Sequence, residues 1–306
     1  MASQLVWVIT GTSSGIGREL ASTALKRGDK VIATGRARSL TKVKELEAYG
    51  ADVLELDVTA PLEELRTIAE KAVALHGRVD VVVNNAGSFI AVGALEEISP
   101  EETLAQFNVG LFGALNVARA FLPYLRAQRS GQIIWIGSLT AWVGGPLLGM
   151  YAAVKHAMRG LSESLDDEIS PFGLRSICIE PGYFRTELIA DGNRAPYESR
   201  IVDYRDRISA VNDVFLGLSG KQPGDTVKLC ALIVDIVKGE GFATGRRIPR
   251  SIQIGNDCYH SVKTALSTSL ATLEEWKPVI IATDLSQPKD DAEDRGVNGG
   301  TTLGTT

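Results

Sequence analysis

The chain has 306 residues, 44% of them apolar and 23% charged, an ordinary globular composition long enough to bury a sizeable core. Its 32 basic and 37 acidic residues leave a net charge of −5, which argues against nucleic acid as a partner. There is no run of about 18 apolar residues to span a membrane, no basic-then-apolar secretory pattern at the N-terminus, and no paired spacing among Cys178, Cys230 and Cys258 to suggest a disulfide frame or metal site, so the cytoplasm is the expected location.

The first predicted strand, Leu5–Thr10, is apolar and runs into a turn spaced by Gly11, Gly15 and Gly17, with Ser13, Ser14 and Ile16 between them. A helix is expected over 16–27. Strand, glycine turn and helix in that order make a pyrophosphate site: glycines admit the ligand close to the backbone, and the helix start offers unpaired N–H groups and a positive dipole end. Further strands are expected at Lys30–Thr34, Asp52–Leu56, Val79–Val83, Gln132–Ile136 and Leu174–Ile179. Helical patterns lie between them at 39–48, 61–76, 100–128 and 149–171. Apolar strands alternating with helices predict an α/β fold, a doubly wound parallel sheet of the Rossmann type in three α/β/α layers. One domain over 1–286 is expected. An irregular or helical insertion at about 183–225 would lie near the carboxyl edge of the sheet, where substrate is held. A helix near 224–238, a strand at 251–254 and a helix near 257–275 follow. Residues 287–306, acidic and then rich in Gly and Thr, are expected to form a disordered tail.

Asn84-Asn85-Ala86-Gly87 directly follows the fourth strand, where small residues and an amide suit close approach of a ribose or nicotinamide. Ser138 ends the fifth strand. Tyr151 and Lys155, four residues apart on a predicted helix, share one face. A free tyrosine titrates near pH ~10. Lowering that by about 3 units needs about 4 kcal/mol, which the Lys155 ammonium and an oxidised nicotinamide together would supply.

These motifs resemble the short-chain dehydrogenase/reductase family over about residues 4–285: Thr-Gly-x-x-x-Gly-x-Gly at 10–17, Asn-Asn-Ala-Gly at 84–87, Ser138, Tyr-x-x-x-Lys at 151–155 and Pro-Gly at 181–182. Within that resemblance, Asp57 and Val58 look like the adenine-contacting pair and Asn108 like a fourth catalytic residue. Pro181, Gly182, Phe184 and Thr186 look like the nicotinamide segment, with Thr186 on the carboxamide. The resemblance implies hydride transfer between a nicotinamide and a carbonyl or alcohol carbon of a small molecule. Tyr151 would act as acid or base, Lys155 on the ribose and on the tyrosine, Ser138 on the substrate oxygen, and Asn108 on a water-linked proton path. It also implies a homodimer or homotetramer, through the helices near 100–128 and 149–171.

Nineteen residues past Gly17, where an acid would bind the 2′-hydroxyl of NAD(H), stands Arg36, with Arg38 beyond it. A guanidinium offers a bidentate fork to a 2′-phosphate, so NADP(H) is expected over NAD(H). Trp142–Leu148 and the apolar residues of 183–225 would either line a cleft for a lipophilic ketone or alcohol or serve as core and oligomer contacts. Two rival readings are a nucleotide-binding redox sensor without turnover and a serine hydrolase. The latter would use Ser13 in Gly11-Thr12-Ser13-Ser14-Gly15, with His76, His156 or His260 as its base.

Overall fold

In the computed structural model, residues 4–190 and 192–285 are described; the predicted tail at 287–306 lies outside them. The strands are β1 (Val6–Ile9), β2 (Lys30–Gly35), β3 (Asp52–Glu55), β4 (Val81–Asn84), β5 (Gly131–Ile136), β6 (Leu174–Pro181) and β7 (Ser251–Ile254). They form one parallel sheet in the order β3-β2-β1-β4-β5-β6-β7. Chain direction across the sheet reverses between β1 and β4, and a doubly wound sheet opens its ligand crevice at that switch. The helices are α1 (Gly15–Lys26), α2 (Leu40–Lys44), α3 (Leu62–His76), α4 (Pro100–Phe107), α5 (Gly113–Gln128), α6 (Gly149–Ile169), α7 (Val202–Gly217), α8 (Thr226–Lys238) and α9 (Asn256–Ile281).

Side chains alternate across the sheet, so its two faces build separate cores. Val8, Val82, Ile133 and Trp135 pack under Leu65 of α3, Val117 and Phe121 of α5, and Val154 and Met158 of α6. Trp7, Ile9, Val81 and Ile134 pack under Leu20 and Ala24 of α1, Val43 of α2, and Leu229 and Ile233 of α8. Each fully buried aliphatic side chain contributes about 1.5–3 kcal/mol. Two buried carboxylates hold the N-terminal side of β1. Asp80 accepts from the Val6 N–H at 2.9 Å, and Asp29 accepts from the Leu5 N–H and the Trp7 indole, each at 3.0 Å, while pairing with Lys238 at 2.7 Å. A third apolar cluster, Phe89, Val92, Leu147, Tyr151, Ile189 and Ile208, lies at the carboxyl edge.

The predicted alternation is present, with two local differences in the helices. The helix expected over 39–48 is one short α-helix between 3₁₀ turns at Ala37–Ser39 and Glu45–Tyr49. The helix expected over 100–128 is broken by a π-helical turn, Asn108–Phe112. At that break Gly113 leaves no room for a Cβ, which would lie 2.6 Å from the Val58 carbonyl, so the widened turn settles where glycines let neighbouring backbone in. The insertion contains a full helix, α7.

Met1–Ala265 forms one compact unit and the chain from Leu266 a second. Among its described residues, the second holds the remainder of α9, with Leu266, Leu270, Leu273 and Trp276 exposed. No described helix is long and apolar enough to cross a membrane. The three cysteines are buried and free.

Candidate active site

The cleft at the switch between β1 and β4 has a volume of about 410 Å³ and begins at the first turn. Gly11 (φ +70°) and Gly15 (φ +59°) adopt left-handed conformations closed to most side chains. A Cβ on Gly11 would sit 2.9 Å from the Ala86 Cα. Ser14 caps α1 with extended backbone and no side-chain bond, which leaves the first helical N–H groups for a ligand. The Asn85 amide donates to the carbonyls of Thr10 at 2.7 Å and Gly11 at 3.1 Å, and the Thr10 hydroxyl accepts from the Asn85 and Ala86 N–H groups at 3.0 Å each. The two glycine motifs, far apart in sequence, are thereby sewn into one surface.

Of the residues expected to hold the nucleotide, Gly11, Ser13, Ser14, Gly15, Ile16, Arg36, Arg38, Asp57, Val58, Asn85, Ala86, Gly87, Tyr151, Lys155, Pro181, Gly182, Phe184 and Thr186 line the cleft. Gly17 does not. A Cβ there would run into the Asn85 amide and lie 2.5 Å from the Gly11 carbonyl, so this glycine serves packing behind the turn. Asn108 is also absent from the wall, which carries its neighbour Val109. Asn108 opens the π-helical turn, and that turn packs against α6 beside Lys155: a Cβ on Gly110 would lie 2.7 Å from Val154. At the end of the cleft beyond β2, burial and the neighbouring Arg38 charge both lower the Arg36 pKa, and Asp57 partly restores it.

Ser138 stands at the end of β5, and α6 carries Tyr151 and Lys155 past it. All three line the cleft. Tyr151 is 8% exposed, and burial pushes its phenol up to about 12, with a hydrogen bond to Ser138 pulling the other way. The pKa depression expected from the sequence needs the positive nicotinamide as well as Lys155; with the protein's own groups, desolvation wins. Lys155 is 6% exposed, its Nζ lies 5.5 Å from the Tyr151 ring centre, and it donates to the Ile136 carbonyl at 2.5 Å. Burial brings its ammonium down to about 8.

Above the phenol lie two aromatic rings: Phe215, from the insertion whose apolar residues were expected to line the cleft, and Phe89, which the sequence did not single out. The Phe89 ring meets Tyr151 edge-on at 4.5 Å between centres and Phe215 of α7 at 5.6 Å. Gln106 of α4 holds the Phe89 strap, accepting from the Ile90 N–H at 2.8 Å and donating to the Ser88 carbonyl at 3.0 Å. Asp257 supports the Pro181-Gly182 corner by accepting from the Tyr183 N–H at 2.6 Å. Phe89, Gln106 and Asp257 belong to no local motif, so only the folded chain identifies them. Of Trp142–Leu148, Leu148 lines the cleft; Trp142 and Val143 instead pack against Cys258 and Val262 of α9, and Leu147 is buried in the third cluster.

The histidines are engaged elsewhere. His76 bonds Asp52 at 2.7 Å, His156 bonds the Ala152 carbonyl at 2.9 Å, and His260 meets the Tyr259 ring edge-on. Ser13 sits in the phosphate turn, where no histidine meets it, and the hydrolase reading has no support in this geometry. No cluster of metal-binding side chains occurs among the described residues.

Residues 5–196 match the short chain dehydrogenase family. An oxidoreductase of Botryotinia fuckeliana, BOA17, is 31% identical over 281 residues, covering 90% of this chain and 98% of its own. The chain belongs to the short-chain dehydrogenases. As a member it is an oxidoreductase of CH–OH or C=O groups that uses a nicotinamide cofactor. A 3-ketodihydrosphingosine reductase of Bacteroides thetaiotaomicron is 36% identical over 208 residues, or 67% of this chain and 73% of the relative. The crystal structure of a short-chain dehydrogenase from Streptomyces avermitilis superposes with a TM-score of 0.80 at 35% identity, covering 92% of this chain and 99% of that one.

Proposed function

We propose that this short-chain dehydrogenase is an NADPH-dependent reductase of a lipophilic ketone, with Tyr151 as the proton donor. The observation that carries the reading is a single cleft with Arg36 and Arg38 at one end and, under apolar rings at the other, the buried Tyr151 and Lys155 beside a half-buried Ser138. The cleft fits the cofactor on the chain's own terms: two left-handed glycines, Gly11 with no space for a Cβ, a helix start without a side-chain cap, and two neighbouring arginines whose like charges an anion would relieve. Arg36 and Arg38 would take the 2′-phosphate as a fork, which the 2′-hydroxyl of NAD(H) cannot fill. Asp57 and Val58 would flank the adenine, and Thr186 would face the carboxamide.

When bound, the reduced nicotinamide supplies a hydride to the substrate carbonyl carbon. Ser138 donates a hydrogen bond to the carbonyl oxygen and holds it against the phenol. Tyr151, protonated at neutral pH by its burial, gives its proton to that oxygen. Lys155, still cationic near neutrality, stabilises the phenolate left behind and would hold the nicotinamide ribose. Asn108, on the turn packed beside Lys155, would return a proton through water. A phenol that begins protonated suits reduction. The apolar wall of Phe89, Leu148, Leu188 and Phe215 suits a lipophilic substrate, and one relative's name carries a keto lipid.

Exposed Leu104 and Phe112 lie on the α4–α5 segment and support self-association of this segment as a dimer or tetramer. Sedimentation of the pure protein tests the assembly.

Titration with NADPH and separately with NADH tests the cofactor. Tighter NADPH binding is expected, and Arg36→Asp should move the NADPH/NADH affinity ratio toward NADH by about tenfold or more. An unchanged ratio refutes the phosphate contact. Consumption of NADPH with benzil and phenanthrenequinone tests the reaction. A protein that binds both nucleotides and reduces no carbonyl would instead be the redox sensor.

A further inference from the structure

Strand β6 carries a fully buried carboxylate, Glu180, two residues before Gly182. A buried carboxylate is costly unless donors and a countercharge meet it. Its Oε2 accepts from the Trp142 indole N–H at 2.7 Å, the Gln253 amide at 2.6 Å and the Ser251 hydroxyl at 2.9 Å. Its Oε1 lies 3.8 Å from the Nε of Arg159. Arg159 in turn lies over the Trp142 ring, 3.7 Å from its centre, and pairs with Glu163 at 3.1 Å. The Glu180 stem also packs on Gly137, where a Cβ would come 3.0 Å from its Cγ.

Gly137 and Trp142 flank Ser138. The chain between them is a tight turn in which the Ser138 hydroxyl accepts from the Thr140 N–H at 3.1 Å and the Ser138 carbonyl from the Ala141 N–H at 2.9 Å. The Leu139 carbonyl accepts from the Trp142 N–H at 3.0 Å. Arg159 stands one helical turn beyond Lys155 and two beyond Tyr151 on α6. The Glu180 cluster thus grips both elements that must meet at the phenol. A pin between β6 and β7 alone would need only Ser251 and Gln253.

We propose that Glu180, acting through Trp142 and Arg159, is a positioning residue that sets the Ser138 hydroxyl against the Tyr151 phenol. The proposal rests on the roles of Ser138 and Tyr151 given above. Neither Glu180 nor Trp142 lines the cleft, so their influence on turnover would pass through Ser138. Displacements of about 1 Å in a reacting group cost on the order of 100-fold in rate, so a loosened turn is visible in kcat.

The experiment is a double-substitution cycle on the full chain, with NADPH and benzil. Trp142→Phe removes the indole N–H and keeps a ring for Arg159; Glu180→Gln keeps an acceptor and removes the charge. Each should lower kcat by about tenfold or more, with NADPH affinity within about twofold of the parent. In a Ser138→Ala background, Trp142→Phe should cost less than about twofold, because the group it positions is gone. A purely structural role would lower the melting temperature and give losses that multiply in that background. Multiplying losses, or folded Trp142→Phe with the parent rate, overturn the proposal and leave the Tyr151 reading standing. If Glu180→Gln fails to fold, Trp142→Phe and its Ser138→Ala partner decide alone, since Glu180 keeps two other donors there. A parent protein that binds NADPH and reduces no carbonyl takes down the Tyr151 reading and the positioning role with it.

Discussion

Around the nucleotide end of the cleft the walls are mostly backbone: Gly11 and Gly15 at positive φ, the start of α1, and the Asn85 amide tied to the Thr10 and Gly11 carbonyls. Over the phenol the wall is side chain: Phe89 on Tyr151, Phe215 on Phe89, and an α7 whose one buried residue is Ile208. A backbone cradle closed to a Cβ at Gly11 and Gly17 is set by strand pairing. An aromatic roof on a lightly buried helix can change its residues without disturbing the sheet. The same chain can therefore keep one cofactor geometry while its substrate wall varies.

The sharpest division between the two regions is at Tyr151. Tyr151→Phe should cut kcat by about 10²- to 10⁴-fold while leaving NADPH affinity unchanged, read by single-turnover kinetics and a binding titration. Weakened nucleotide binding would show that the phenol belongs to the cradle as well. Gly17→Ala tests the cradle itself. With its Cβ aimed at Asn85 and the Gly11 carbonyl, it should cost about 1–3 kcal/mol in urea unfolding and weaken NADPH binding, although Gly17 does not touch the cleft. Val214→Ala on the exposed face of α7 should stay within about 0.5 kcal/mol. In the roof, Phe215→Ala should raise the KM for benzil several-fold, about 1 kcal/mol of lost apolar contact, and spare NADPH affinity.

A pH-dependent effect concerns the anchor of α7. Arg200 donates to both oxygens of Glu102, at 2.6 and 2.7 Å, and this holds the carboxyl down at about 2. A carboxylate whose folded pKa is depressed stabilises above its unfolded pKa, and the contribution is lost as pH falls toward the folded value. Glu102→Gln should therefore cost up to about 1 kcal/mol at neutral pH. The cost should be the same at about pH 6 and fade only below about pH 4, as denaturant melts at several pH values would show. A cost already gone at mild acidity would mean that the roof is anchored by something other than this pair.

Much of the cofactor end was legible in sequence because its determinants are local. Positive-φ glycines, an apolar strand before them and an arginine at a fixed distance after them can be read in order, and all but Gly17 and Asn108 among the predicted site residues reach the cleft wall. Gly17 eluded the reading because a glycine required for packing and one required for ligand approach look alike in a one-dimensional pattern. The roof was poorly legible. Phe89 and Phe215 are separated by more than a hundred residues, and Gln106 and Asp257 act by hydrogen bonds to distant backbone. Trp142 was expected either in the cleft or as a core contact, because apolar character alone cannot tell the two apart, and it is a core contact.

The sequence by itself determined the parallel α/β alternation, the glycine cradle, the Tyr151–Lys155 spacing and the arginines after β2, since period, turn chemistry and charge are properties of neighbours along the chain. Tertiary structure decided the π-helical break at Asn108, the burial that keeps Tyr151 a phenol, the ring that covers it and the Glu180 grip on either side of Ser138. Those depend on which segments the sheet order brings together, and desolvation and packing exist only once they meet.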